Sequence, residues 1–168
     1  VSKQEITRVS FPIEDTRRII LMCGELLNRL LKNATEEELG GRGGGFLTVL
    51  AAHISLTEPF LHVGIGAMLP EKLGKYRAFS LEKAVRLASQ TDDMSSAQSR
   101  NPEEGMWGGA IRSSEHNVIY SFSGLPEAAD HTMMVALAAK VERWPLPKVV
   151  PYHSYLPDAQ KWWDHLIN

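Results

Sequence analysis

At 168 residues and 18.7 kDa, the chain has the length of a single domain, which usually takes about 100–200 residues. Its 43% hydrophobic and 23% charged content excludes bulk disorder, and 18 basic against 20 acidic residues, a formal charge of −2, exclude the broad basic field that nucleic acid or anionic membrane partners require. One cysteine, Cys23, excludes an intramolecular disulfide. The absence of a signal pattern or of an apolar run near the roughly 20 residues needed to span a bilayer leads us to expect a cytoplasmic protein.

From residue 13 to 31, Ile19, Ile20, Cys23, Leu26, Leu27, Leu30 and Leu31 recur at three-and-four spacing, which predicts an amphipathic helix. Ser10 is its expected N-cap, Pro12 is tolerated in its first turn, and Glu14 and Asp15 sit where the helix dipole favours anions. Cys23 falls on the buried stripe as a small core residue. The following ATEEELGGRGGG, residues 34–45, carries five glycines and reads as a flexible connector or lid. A phosphate-cradling loop needs a strand before it and a helix after it, and here the order is reversed.

Residues 46–53 and 60–68 are short apolar runs around a Glu58-Pro59 step and predict two neighbouring strands. The second run alternates Phe60, His62, Gly64 and Gly66 with an apolar set, giving a small, partly polar face suited to a cavity. Residues 69–75 are rich in turn formers. A short helix is then expected over 79–90, with Ser80 as N-cap and Leu81, Ala84, Val85 and Ala88 on one stripe. Residues 91–105 lack apolar periodicity and predict an exposed loop. Residues 106–112 and 118–123 read as a second strand pair joined by Ser113–Asn117, and residues 127–143 as the last helix, with Met133, Met134, Leu137, Ala138 and Val141 at helical spacing.

This order places helices against an antiparallel sheet, an α+β sandwich of the profilin-like kind over residues 1–143. Residues 144–168 hold four of the nine prolines and three of the four tryptophans, which describes a C-terminal arm, extended and then helical. Aromatic area outside the domain's own elements suggests self-association, at least as a dimer.

The segment GGAIRSSEHNVIYSFSGLPEAADHTMMVALAAK resembles the haem-degrading or GlcG-like domain family, which includes the C-terminal domain of the PduO cobalamin enzymes. It is most similar to that family's branch of small proteins whose last strand ends in SGL followed by DH. The residues that carry the resemblance are Gly108-Gly109, Ser123-Gly124, Asp130 and, upstream, Lys83-Ala84. It extends over about residues 11–142 and leaves the arm outside. The resemblance implies a profilin-like fold, a homo-oligomer and, in some members, binding of haem or another small metabolite.

The backbone N–H groups of the Ser123-Gly124 turn and of the following helix N-terminus offer partial positive charge to a carboxylate; the same residues also serve simply as turn and cap. Asp130 and His131 are consecutive and point about 100° apart, so one of them faces a given pocket squarely. Lys83 either reaches the pocket edge or extends into solvent. The expected ligand-binding set is therefore Lys83, Ser123, Gly124, Asp130 and His131. No histidine pair has zinc-site spacing, so no metal site is expected, while His53 and His62 on adjacent strands are candidates for one axial ligand to haem. A small-molecule-binding domain is the leading expectation. A non-enzymatic oligomeric or regulatory scaffold, and an enzyme on a small organic acid using Asp130 or His131 as general acid or base, are the alternatives.

Overall fold

The computed structural model describes residues 13–52 and 59–168. The predicted Ser10 cap, Pro12 and His53 lie outside them. The elements are α1 (Ile13–Asn33), α2 (Glu36–Leu39), β1 (Gly43–Ala51), β2 (Pro59–Ala67), α3 (Pro70–Ser89), β3 (Ala110–Ser113), β4 (Val118–Ser123), α4 (Glu127–Glu142), α5 (Leu146–Val149) and α6 (Ala159–Ile167). The four strands form one antiparallel sheet in the order β2-β1-β4-β3. The protein is therefore α+β, in an arrangement compatible with a profilin-like sandwich.

Alternation along the two central strands divides the sheet's contacts. Leu47, Val49, Tyr120 and Phe122 join the large core with α1 and α4. Thr48, Leu50, Ile119 and Ser121 turn to α3, where Leu50 and Ile119 meet Ala84 and Leu87. Thr48 Oγ1 and Ser80 Oγ lie 2.7 Å apart, and Ser121 Oγ donates to the Ser80 carbonyl at 2.7 Å. On the other side α1 buries Ile19, Cys23, Leu26, Leu27 and Leu30 as its spacing predicts, and burial pushes the Cys23 thiol up to about 12, as befits a core residue.

Several local expectations are corrected. The glycine-rich stretch is ordered at both ends. Thr35 and Glu38 form a reciprocal capping box at 3.1 and 2.8 Å that starts α2, and β1 already begins at Gly43. Strand geometry wins there because side chains do not fit. A Cβ on Gly44 would come within 2.5 Å of the Ile65 carbonyl oxygen, and one on Gly45 within 2.2 Å of that of Ser123. Helix α3 starts nine residues before Phe79, with Pro70 in its first turn, so residues 69–75 are mostly helical and Ser80 is a buried mid-helix residue rather than an N-cap.

The predicted loop 91–105 contains two 3-10 turns, Ser96–Ser99 and Pro102–Glu104. Ser95 and Ser96 are buried, and Ser95 bridges to Ile111. The strand expected from residue 106 pairs only from Ala110, after Gly109 at φ +118°. In residues 144–168, Trp144, Val149, Tyr152, Trp162 and Leu166 belong to the main core, Tyr155 and Trp163 pack partly buried against it, and α6 packs on α4 and α1.

A cleft floored by a buried Lys-Asp pair

Where the start of β1 meets the end of β4, glycines let the chains approach closely. Gly124 has φ +153°, and a Cβ on it would come within 2.2 Å of the Gly44 carbonyl oxygen and 2.4 Å of Gly45 Cα. This close approach, more than turn geometry, is what requires glycine. It leaves a cleft of about 870 Å3 at this end of the sheet, within the ~300–1,000 Å3 usual for small-molecule sites. Its lip is the run Gly40, Gly41, Arg42, Gly43 and Gly44. The opposite wall is α3, and the sides are residues 102–107 and the start of α4.

One stripe of α3 lines the cleft: Lys72, Lys75 and Tyr76, Phe79, then Lys83, at steps of three and four. The outer two are exposed lysines, the middle two half-buried aromatics, and Lys83 is 2% exposed at the floor. Lys83 Nζ donates to the Phe122 carbonyl at 2.8 Å and to Asp130 Oδ2 at 3.2 Å. Asp130, also 2% exposed, accepts the Leu125 N–H through Oδ1 at 2.9 Å. That bond gives Asp130 the role expected of Ser123: α4 has no side-chain cap at its N-cap residue, Pro126, and the carboxylate from its own first turn secures the entering chain. Burial pushes the Asp130 carboxyl up to about 6, against the opposing pull of Lys83 and the Leu125 amide. Gly109 makes room for the pair, since a Cβ there would come within 2.7 Å of Lys83 Nζ.

The side wall is pinned from two directions. Arg86 donates to the Trp107 carbonyl at 2.6 Å and the Ser96 carbonyl at 2.8 Å. Arg100 donates to both oxygens of Glu127 at 2.8 and 3.0 Å and stacks 5.5 Å over Trp107, while Glu127 also accepts the Gly108 N–H at 2.7 Å. These contacts hold Trp107, which lines the cleft together with Tyr76 and Phe79.

Of the sequence-predicted set, Lys83, Ser123, Gly124 and Asp130 meet here, and Lys83 turns inward to the floor instead of into solvent. His131 does not join them. It points away from the cleft, with Nε2 donating to the Tyr152 carbonyl at 2.9 Å and Nδ1 3.3 Å from Ser95 Oγ, so it holds the arm against α4. Burial pulls it down to about 4 and keeps the ring neutral. His62 also lies away from the cleft: its Nδ1 is 2.7 Å from Thr48 Oγ1 beneath α3. The small face of β2 expected to line a cavity does not reach the cleft: Phe60, His62, Gly64 and Gly66 are not among its lining residues, and β2 contributes only Ala67 of the opposite set, beside Met68.

Sequence reasoning missed Arg42, Lys72, Lys75, Tyr76, Phe79 and Trp107. For Lys72, Lys75, Tyr76 and Phe79 the signal is the three-and-four spacing on α3, visible once Pro70 is taken as a helix start; Arg42 and Trp107 carry no such local signal.

Among the described lining residues there is no histidine or cysteine, so the cleft does not fit a histidine-ligated haem. What it offers is a cationic rim, aromatic walls and one buried carboxyl able to exchange a proton near neutral pH. Elsewhere, Glu115, His116 and Glu142 bring ligand atoms within 4.8 Å of one another. Glu142 already accepts from Ser113 and, at 2.9 Å, from Tyr120, and Glu115 pairs with Lys148 at 2.9 Å. Comparison with protein-family models, curated proteins and solved structures finds no match to this chain.

Proposed function

We propose that the protein is a binding domain for a small organic anion with a flat, conjugated body. The observation that carries this reading is the α3 stripe. Lys72 and Lys75, exposed and with no carboxylate partner among the described residues, share the cleft-lining stripe with Tyr76 and Phe79, Lys75 lying 5.8 Å over the Phe79 ring, and Trp107 lines the same cleft. Aromatic walls favour a planar body, and unpaired cations favour a negative end. The tetrapyrrole expected from the family resemblance satisfies both demands through its ring and its propionates. With no histidine among the lining residues, recognition then rests on the organic part of the ligand.

Parallel titrations of the full chain with haem, iron-free protoporphyrin IX and benzoate, followed by calorimetry, test this. Haem and protoporphyrin are expected to bind with affinities equal to within about threefold, since iron contributes little. Strong binding of haem alone, with the spectrum of a histidine-ligated iron, would overturn recognition through the organic part. Silence from all three would overturn anion binding at this cleft.

A further inference from the structure

We infer that the group gripped at the mouth of the cleft is a phosphate monoester dianion on an aromatic or heterocyclic body, a narrowing that rests on the organic-anion reading above. The argument begins with the charges that are already compensated. Asp130 is paired with Lys83 at 3.2 Å, and Glu127 with Arg100 at 2.8 Å. Neither carboxylate is free to neutralise the rim, and neither is free to repel an incoming anion. Arg42, Lys72 and Lys75 remain. Arg42 donates Nη1 to the Leu125 carbonyl at 2.9 Å, which orients the guanidinium without compensating its charge. Lys75 lies 5.8 Å over the Phe79 ring, at the boundary between the cationic and aromatic parts of the stripe. Three positive groups lining one mouth are matched poorly by a single carboxylate and well by a dianion.

The lip adds main-chain donors. Gly40 and Gly41 have φ of +60° and +74°, and a Cβ on either would meet nothing within 4 Å. Glycine is thus demanded there by the backbone conformation, and the space beside that backbone is open to a ligand. The Gly40 N–H is bound by Glu36 O and the Arg42 N–H by Leu39 O, which leaves the Gly41 N–H without an acceptor among the described residues. An amide flanked by an arginine suits the several oxygens of a phosphate. The glycine-rich run thereby serves an anion without the strand-loop-helix order that phosphate loops ordinarily use.

The test is calorimetric titration of the full chain with phenyl phosphate, inorganic phosphate and benzoate. It is repeated on Lys72→Gln/Lys75→Gln and on Arg42→Lys, each checked for an unchanged circular dichroism spectrum. Phenyl phosphate is expected to bind about tenfold more tightly than either benzoate or inorganic phosphate, and to lose about tenfold in the double-lysine variant. Benzoate binding as tightly as phenyl phosphate would overturn the phosphate assignment and leave the organic-anion reading standing. Phenyl phosphate binding that is unaffected in both variants would overturn the lip as its seat. Silence from every probe, porphyrins included, would remove both readings together.

Discussion

Asp130 and His131 are neighbours on α4 with opposite electrostatic fates, and their pH dependences are opposed. Asp130 titrates near 6 in the folded protein against 3.8 as a free side chain. Its stabilising contribution is therefore fully present below pH 3.8 and is lost as pH rises through 6. His131 titrates near 4 against 6.5. Its contribution is present above pH 6.5 and is lost as pH falls through 4. Between pH 6.5 and 5 the folded state gains a proton at Asp130 while the unfolded state gains one at His131, so the two slopes largely cancel. Asp130→Asn is expected to make stability fall by about 1 kcal/mol over that interval, and His131→Asn to make it rise by about the same amount. Urea midpoints at the two pH values read this directly, and parallel slopes in both variants would show that neither group titrates as its burial demands.

Which of the pair faces the cleft was not legible in the sequence. Consecutive helical residues diverge by about 100°, and the choice is made by long-range packing: Lys83 from α3 meets one, and the arm's Tyr152 carbonyl meets the other. Ser123 and Gly124 were legible as a site because a turn glycine before a helix is a local signal. The cause of Gly124, an approach to Gly44 eighty residues earlier, was not.

At the scale of elements, α3 shows why boundaries mislead. Its first turns read LPEKLGK, with a proline and a glycine that argue locally for a turn. Pro70 fits a helix start, where its missing N–H costs nothing, and Gly74 is simply tolerated. That tolerance has a measurable consequence. Gly74 lies inside the helix, and a Cβ on it would meet nothing within 4 Å. Gly74→Ala is expected to stabilise the protein by about 0.5–1 kcal/mol, because alanine restricts the unfolded chain and fills no occupied space. Chemical denaturation measures it, and a loss of stability would mean that the α3 N-terminal turns are not helical in solution. The bounds of β4 were easier to anticipate: it runs over Val118–Ser123, the stretch read as a strand from the sequence. The sheet's two buried faces reflect helices on both sides, which a single strand's pattern does not announce.

At the scale of the whole molecule, α4 explains the arm. From Ala129 to Ala138 every residue of α4 is buried, so no face of the helix is left for water, and an apolar helix of this kind requires covering on all sides. The sheet covers one side, α1 a second, and α6 a third. Trp162 and Leu166, 4% and 1% exposed, close that third side, while Arg29 and Asn33 of α1 donate to the Leu166 and His165 carbonyls at 3.2 and 2.7 Å. The aromatic density of residues 144–168 is therefore a core requirement of the same domain. Sequence reading placed it outside because the prolines that interrupt it resemble a linker. Trp162→Ala is expected to cost about 3–5 kcal/mol, by removing a large buried side chain whose site cannot fully collapse. Deletion of residues 144–168 is expected to abolish cooperative thermal unfolding, since it bares the α4 face wholesale. Circular dichroism melts and amide dispersion in NMR spectra distinguish the outcomes. A truncated chain that melts cooperatively near the wild-type temperature would show that α4 needs no third cover and that the arm is an appendage after all.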